Sequence, residues 1–489
     1  MIHKSYSSLL ILSLLWAVVA CTAHKQAHSP TVKVITTTGD RSKEFKTDTL
    51  ALFSADKTPN VNITLKTTEK FQTVYGFGSA ITGSTCYNLM QMSPADRKNF
   101  LTQTFSETEG FGQNYVRVSI GCSDFSLSEY TLCDTKGIDN FALTQEETKY
   151  VIPILKEILA INPKVQIIGS PWTPPRWMKV NNLTDLQPYN HWTSGQLNPA
   201  HYQDYALYFA KWLQAMKDNG LNVNAITIQN EPLNRGNSVS MYMGWDEQLA
   251  FIKSALGKTL HDKGFAEVKI YLFDHNYNYD NMPSQQQYPL HIYKDADASQ
   301  YVAGAAYHNY GGNPDELNNI HNQYPNKELI FTESSIGTWN DGRNLERRLT
   351  EDMQELGVKT LNNHCKAVMV WNLMLDEHGA PNREGGCKTC FGAVDIQTSD
   401  YKTMQRNSHY YVISHLSAVI KQGATRIGVE KTTDDNVQCT AFQNPDGSLA
   451  CVLLNKKKEA THLTLSTGKQ YFSYEVPANS VVSFLIPKI

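Results

Sequence analysis

The sequence predicts an α/β protein: a (β/α)8 barrel accompanied by a β-sandwich built from the two ends of the chain. Three observations lead there. Both terminal segments alternate apolar and polar residues with period two, as half-buried strands do. Between them, short apolar runs alternate with helical segments, the signature of repeated β-α units on a parallel sheet. Polar and aromatic groups also recur at one end of those apolar runs, which suits a barrel whose functional groups gather at the C-terminal face of its strands.

Taken in chain order, residues 1–20 read as an export signal. His3 and Lys4 precede an apolar run from Leu9 to Ala20 that is too short to span a membrane. Val18-Val19-Ala20-Cys21 looks like a bacterial lipobox, in which Cys21 becomes a lipidated N-terminus and the chain's only membrane attachment. That reading places the protein in the cell envelope, at the outer membrane. The alternative is an ordinary signal with Cys21 incidental. Residues 21–30 then form a tether.

Val32 and Val34, then Val61, Ile63 and Leu65, mark the N-terminal strands of the sandwich, within residues 31–69. The barrel is expected over residues 70–415. Its strands begin near Val74, Val116, Val165, Ala225, Lys269, Gly304, Leu329 and Ala367. Two intervening helices can be checked. Thr144 and Glu147 make a capping box ahead of Ile154, Leu155, Ile158 and Leu159, with Pro153 expected to kink the helix. Tyr205, Phe209, Leu213 and Met216 form a second stripe that stops at Gly220. Residues 416–489 return to period two, around Val437, Leu463, Leu465, Val482, Phe484 and Ile486. A hairpin turn falls at Pro445-Asp446-Gly447.

Composition narrows the function. With 489 residues, 41% of them apolar, and a net charge of −3, the chain shows no basic stripe for a nucleic-acid partner. Lys456-Lys457-Lys458 beside a turn reads as a solvated hairpin end. Cys387 and Cys390 form a lone CxxC without the further ligands a zinc site needs, which leaves a local disulfide or two free thiols. Cys439 and Cys451 flank the hairpin turn in a register the sequence does not set.

The chemistry lies at the strand ends. Ala225-Ile226-Thr227-Ile228-Gln229-Asn230-Glu231-Pro232 and Leu329-Ile330-Phe331-Thr332-Glu333 each end an apolar run on a glutamate. A carboxylate at such a tip is costly to bury unless it is used. Two of them match glycoside hydrolysis, one protonating the leaving oxygen and the other attacking or activating water. The other tips carry Arg117, Asp124, Trp172, His308, Tyr310, Trp371 and Asn372.

In chain order, SPWTPPRW, Asn230-Glu231-Pro232, YHNY and VWNLML resemble glycoside hydrolase family 30, from about Gly76 to the C-terminus. That group includes lysosomal glucosylceramidase and microbial endo-β-1,6-glucanases. The resemblance implies Glu231 as acid/base and Glu333 as nucleophile of a retaining double displacement, with no metal and no cofactor. It implies a glucose subsite made by Asp124, Trp172, Asn230, Trp371 and Asn382, with Arg117, His308 and Tyr310 orienting the nucleophile. The expected substrate is a β-glucan, in the first instance β-1,6-linked. Glucosylceramidase-type exo-hydrolysis and a binding-only lipoprotein are the alternatives, and the presence of both glutamates counts against the latter. The Tyr-rich stretch from Asn276 through Tyr288 is open between a sugar-stacking platform and a solvated loop.

Overall fold

The computed structural model describes Met1, residues 31–54 and residues 60–488. The segment read as an export signal, the expected tether and Cys21 lie outside the described residues, Met1 excepted. Eight parallel strands close into a barrel: β1 (Gly76–Ala80), β2 (Tyr115–Ser119), β3 (Gln166–Ser170), β4 (Ala225–Thr227), β5 (Lys269–Asn276), β6 (Gly304–His308), β7 (Glu328–Glu333) and β8 (Cys365–Asn372). Their neighbours follow chain order, and β8 pairs with β1 to complete the ring. These strands are buried on both faces, so their sequences are near-continuous apolar runs. Tyr115, Ile168, Tyr271, Ile330 and Met369 belong to the cluster that fills the barrel.

The surrounding helices use the local signals anticipated for them. The Thr144 amide donates to Glu147 Oε2 at 2.8 Å. The expected kink takes the form of a π-helical segment, Glu147–Val151, directly before the helix Ile152–Ile161. The helix Tyr202–Asp218 ends at Gly220, whose φ of 79° is left-handed.

A polar cluster forms the barrel floor. Glu328, the first residue of β7, pairs with Lys269 (2.9 Å) and Lys366 (3.0 Å) and accepts hydrogen bonds from Tyr271 (2.6 Å) and Tyr75. Burial opposes its ionisation, but hydrogen bonds from Tyr271, Tyr75 and Lys269 and the charge of Lys366 hold its pKa at about 2.

Both ends of the chain build the sandwich. One leaf contains Lys46–Ala51, Thr31–Thr38, Ser480–Ile486, Leu449–Asn455 and Val437–Gln443 in spatial order. The other contains Thr425–Lys431, Ile63–Thr73, Thr461–Ser466, Gln470–Val476 and Phe53–Ser54. Among the described residues only Thr425 and Arg426 pair across, with Gln443 and Phe442, which makes a corner between the leaves. Val34, Leu453 and Phe484 share a core with Leu65, Leu463 and Phe472. Each such side chain contributes roughly 1.5–3 kcal/mol on burial.

The helix Ser408–Val419 runs through the residue-415 boundary expected from sequence, because it serves both units. His415 on it hydrogen-bonds Thr37 (2.9 Å) and Ser483 (2.8 Å) of the sandwich. Across the hairpin, Cys439 faces Leu453 and Cys451 faces Ala441, so these cysteines are diagonal neighbours with free thiols. Cys387 and Cys390 form a disulfide.

Candidate active site

At the opposite end of the barrel, the tips of β2, β4, β5, β6, β7 and β8 converge on a pocket of about 260 Å³. Asp124, Glu231, Tyr310, Glu333 and Trp371 line it, with Asn234, Asn237, Asn276, Asp280, Trp339 and the Cys387–Cys390 disulfide. A carboxylate oxygen of Glu231, one of Glu333 and a ring nitrogen of His308 lie within 4.8 Å of one another. That is close to the about 5–5.5 Å separation of a retaining pair, and far from the about 6.5–9.5 Å of an inverting one. Among the described residues this trio has the spacing to hold a metal ion. Arginine, tyrosine and amide donors already occupy its carboxylates, however.

Arg117 organises the pocket from beneath. Fully buried on β2, its guanidinium donates to Glu333 Oε2, to Asp274 Oδ2 at 2.7 Å, to Asn230 Oδ1 at 2.7 Å and to Ser170 Oγ at 3.2 Å. Its cation also sits 4.9 Å from the Trp172 ring centroid and 5.5 Å from that of Trp371. Tyr310 donates to Glu333 Oε1 at 2.9 Å. Burial raises the Glu333 pKa above the ordinary carboxylate value, while the charges of His308 and Arg117 oppose it.

Glu231 has a different set of partners. Asn234 and Asn237 each donate to Oε2 at 2.8 Å, and His308 Nδ1 meets Oε1 at 3.2 Å. The other His308 nitrogen, Nε2, meets Asp274 Oδ1 at 3.1 Å. Burial alone would lower the His308 pKa, but the carboxylates of Glu333, Asp274 and Glu231 push it up to about 9. Burial likewise opposes ionisation of Glu231, but the His308 hydrogen bond, with the charge of His275, draws its pKa down. The proton between Glu231 and His308 therefore rests on His308.

Several expected residues are placed differently from their assignments. His308, expected to orient the nucleophile, instead hydrogen-bonds Glu231 and Asp274, because a register shift at the end of β6 turns its ring toward β5. Asn382 is absent from the pocket lining; its amide donates to Gly379 O at 3.1 Å, closing the turn made by Asp376 and Ala380. Trp172 is buried behind Trp371, with ring centroids 5.2 Å apart, and supports it from the rear. Asn230 accepts from Arg117 through its side-chain Oδ1, and its backbone amide donates to Pro171 O at 2.8 Å. Asp124 reaches the pocket, where its Oδ1 is buried without a partner. Burial, then the charges of Glu333 and Glu231, raise its pKa to about 8.

The Tyr-rich stretch follows neither alternative. Tyr277, Tyr279 and Tyr288 are buried in the shell around the barrel, stacking on Tyr307 or packing against Phe273. Only its polar members Asn276 and Asp280 reach the pocket.

Sequence reasoning missed Asp274. This fully buried carboxylate accepts from Arg117, Thr227 (2.7 Å) and Thr332 (2.5 Å). Burial opposes its charge, yet the Arg117 cation holds its pKa far below the usual range. A bulge between Phe273 and His275 inserts it as an extra residue in β5. Phe273 (φ 70°), Asp274 (φ 64°) and Glu231 (φ 45°) are all left-handed, a strain of roughly 1–3 kcal/mol each that such sites retain. Asp274 ends the apolar run Ile270–Phe273, so the strand-tip reasoning used for the glutamates could have found it.

A closed parallel barrel with two facing carboxylates at its C-terminal mouth, beside a sandwich, defines a glycosidase. The chain matches the Glycosyl hydrolase family 30 TIM-barrel domain over residues 74–420 and the family's beta sandwich domain over residues 423–484. It belongs to glycoside hydrolase family 30 and is a glycoside hydrolase. The solved endo-beta1,6-glucanase BT3312 superposes with a TM-score of 0.92 at 59% identity, covering 94% of this chain and all of that one. Endo-1,6-beta-D-glucanase BGN16.3 of Trichoderma harzianum is 32% identical over 86% of this chain and 85% of its own. Lysosomal acid glucosylceramidase of Mus musculus is 28% identical over 86% and 83%.

Proposed function

We propose that this protein is a retaining endo-β-1,6-glucanase. The observation that carries the reading is the pairing of Glu231 and Glu333 at retaining distance in one pocket, in a chain 59% identical to an endo-β-1,6-glucanase. Glu333, oriented by Arg117 and Tyr310, attacks the anomeric carbon of a glucosyl unit. Glu231 delivers the proton it shares with His308 to the departing glycosidic oxygen. A glucosyl–Glu333 ester results. The Glu231–His308 pair, now one proton short, then takes a proton from water through Glu231 as that water opens the ester, and the anomeric configuration is retained. Asp274 steadies the cycle from behind, fixing both the Arg117 cation and the outer nitrogen of His308.

The test is incubation of residues 22–489 with linear β-1,6-glucan and, separately, with glucosylceramide, resolving products by length over time. A ladder of β-1,6-oligosaccharides with β-configured new ends is expected. Glucose released from the lipid alone would reject the glucan reading in favour of glucosylceramidase activity.

Export and lipidation at Cys21 are also proposed, supported by the apolar run that meets the cysteine directly. In a bacterial host, Cys21→Ala should abolish palmitate labelling and release the protein from the envelope; unchanged labelling would reject the assignment.

A further inference from the structure

Two of the few large hydrophobic side chains left exposed, Tyr310 (42% exposed) and Trp339 (52%), line the same pocket. Tyr310 is committed to Glu333. Trp339 has no such task.

The walls of the pocket differ in character. Asn234, Asn237, Asn276 and Asp280, at the tips of β4 and β5, line it with polar groups, while Trp339 and the Cys387–Cys390 disulfide, after β7 and β8, line it with apolar ones. A pyranose ring has the matching anatomy, with C–H faces and a hydroxylated edge. Burying its apolar face on an indole while its edge meets amides gains from both.

Trp339 is also held in place. It follows the short strand Ile336–Gly337, which pairs antiparallel with Cys390–Phe391. The Thr338 amide donates to Thr389 O at 2.9 Å, and the Gly337 amide to Asn340 Oδ1 at 2.9 Å. The indole packs against the backbone of Gly337 so closely that a Cβ there would lie 2.0 Å from its Cζ3. The disulfide closes a four-residue loop whose last member is the partner of Gly337. A large exposed ring with so many constraints on its backbone is presented for contact.

We propose that Trp339 is the stacking platform for the sugar on the leaving-group side of the scissile bond, and that the disulfide-closed loop after β8 holds it there. The ligand class is a neutral hexopyranose attached through the bond being cleaved. This rests on the reading of a β-linked glucan as substrate. The glucosyl unit that is attacked sits deeper, beside Asp124 and Trp371, so Trp339 acts on the choice of leaving group.

The experiment compares two substrates with the same glucosyl unit. A β-1,6-glucotetraose places a pyranose on Trp339, and β-glucosyl fluoride places a single fluorine there. For Trp339→Ala, the ratio of kcat/KM on tetraose to kcat/KM on fluoride should fall about tenfold, and Trp339→Phe should restore most of it. An unchanged ratio, whether both rates fall together or neither moves, would overturn the proposal. Wild-type enzyme that turns over the fluoride but not the tetraose would instead reject the glucan reading, and the platform with it. Wild-type cleavage of both, with no change of ratio in the variant, would reject the platform alone.

Discussion

Strand β7 carries a glutamate at each end, and the two stand in opposite electrostatic settings. At the floor, Glu328 faces two lysines and two tyrosine hydroxyls and has more donors than it needs. At the mouth, Glu333 shares one arginine with Asp274, and Glu231 and Asp124 add further carboxyls to the same pocket. The floor is arranged for folding, with an anion matched to its cations. The mouth is arranged for chemistry: protons are contested there and the backbone is left-handed at Glu231 and Asp274. The same strand supplies both because its ends face different surroundings, five residues apart.

The same substitution at the two ends should therefore give opposite results. Glu333→Gln should lower kcat on the order of 10⁴-fold, with a urea midpoint equal to or above wild type because one of several crowded carboxylates is gone. Glu328→Gln should do the reverse, losing about 1–3 kcal/mol of stability while kcat per folded molecule is kept, since two partly exposed lysines lose their counter-ion. Equal stability losses in both variants would erase the contrast.

The tyrosines sharpen it on a smaller scale. Tyr310→Phe removes a donor to the nucleophile and should lower kcat about tenfold with little change in KM. Tyr75→Phe, at the floor, should cost about 1 kcal/mol in a urea titration and leave kcat alone.

The pH dependence should also run in opposite directions. The Glu328 pKa is depressed to about 2 from its ordinary 4.5, so its stabilisation is complete above pH 4.5 and is lost as pH falls through about 2. His308 is raised to about 9 from 6.5, so its contribution is complete below pH 6.5 and is lost as pH rises through about 9. Across that upper window kcat/KM should decline, because the Glu231–His308 pair gives up its proton. An activity limb that persists above pH 10 in wild type would separate the proton from this pair.

The parts of this molecule that depend on neighbours in sequence were legible in the chain. Apolar runs at β-α spacing gave the eight strands, and a costly glutamate at the tip of β4 and of β7 marked the catalytic pair. The residues at 117, 124, 310 and 371 followed from the same strand-tip reasoning. Glu333 and its Arg117 partner are 216 residues apart, and no local pattern states which of the acids at the mouth the arginine will meet.

Contacts across the barrel were decided only when it closed. The bulge that inserts Asp274 and the turn of His308 toward Glu231 depend on register between strands. Register is set by packing over the whole ring, and a shift of one residue redirects a side chain. The sequence by itself determined which residues stand at the mouth of the barrel. The tertiary structure decided which of them touch, because that depends on distances between strands that closure of the ring alone sets.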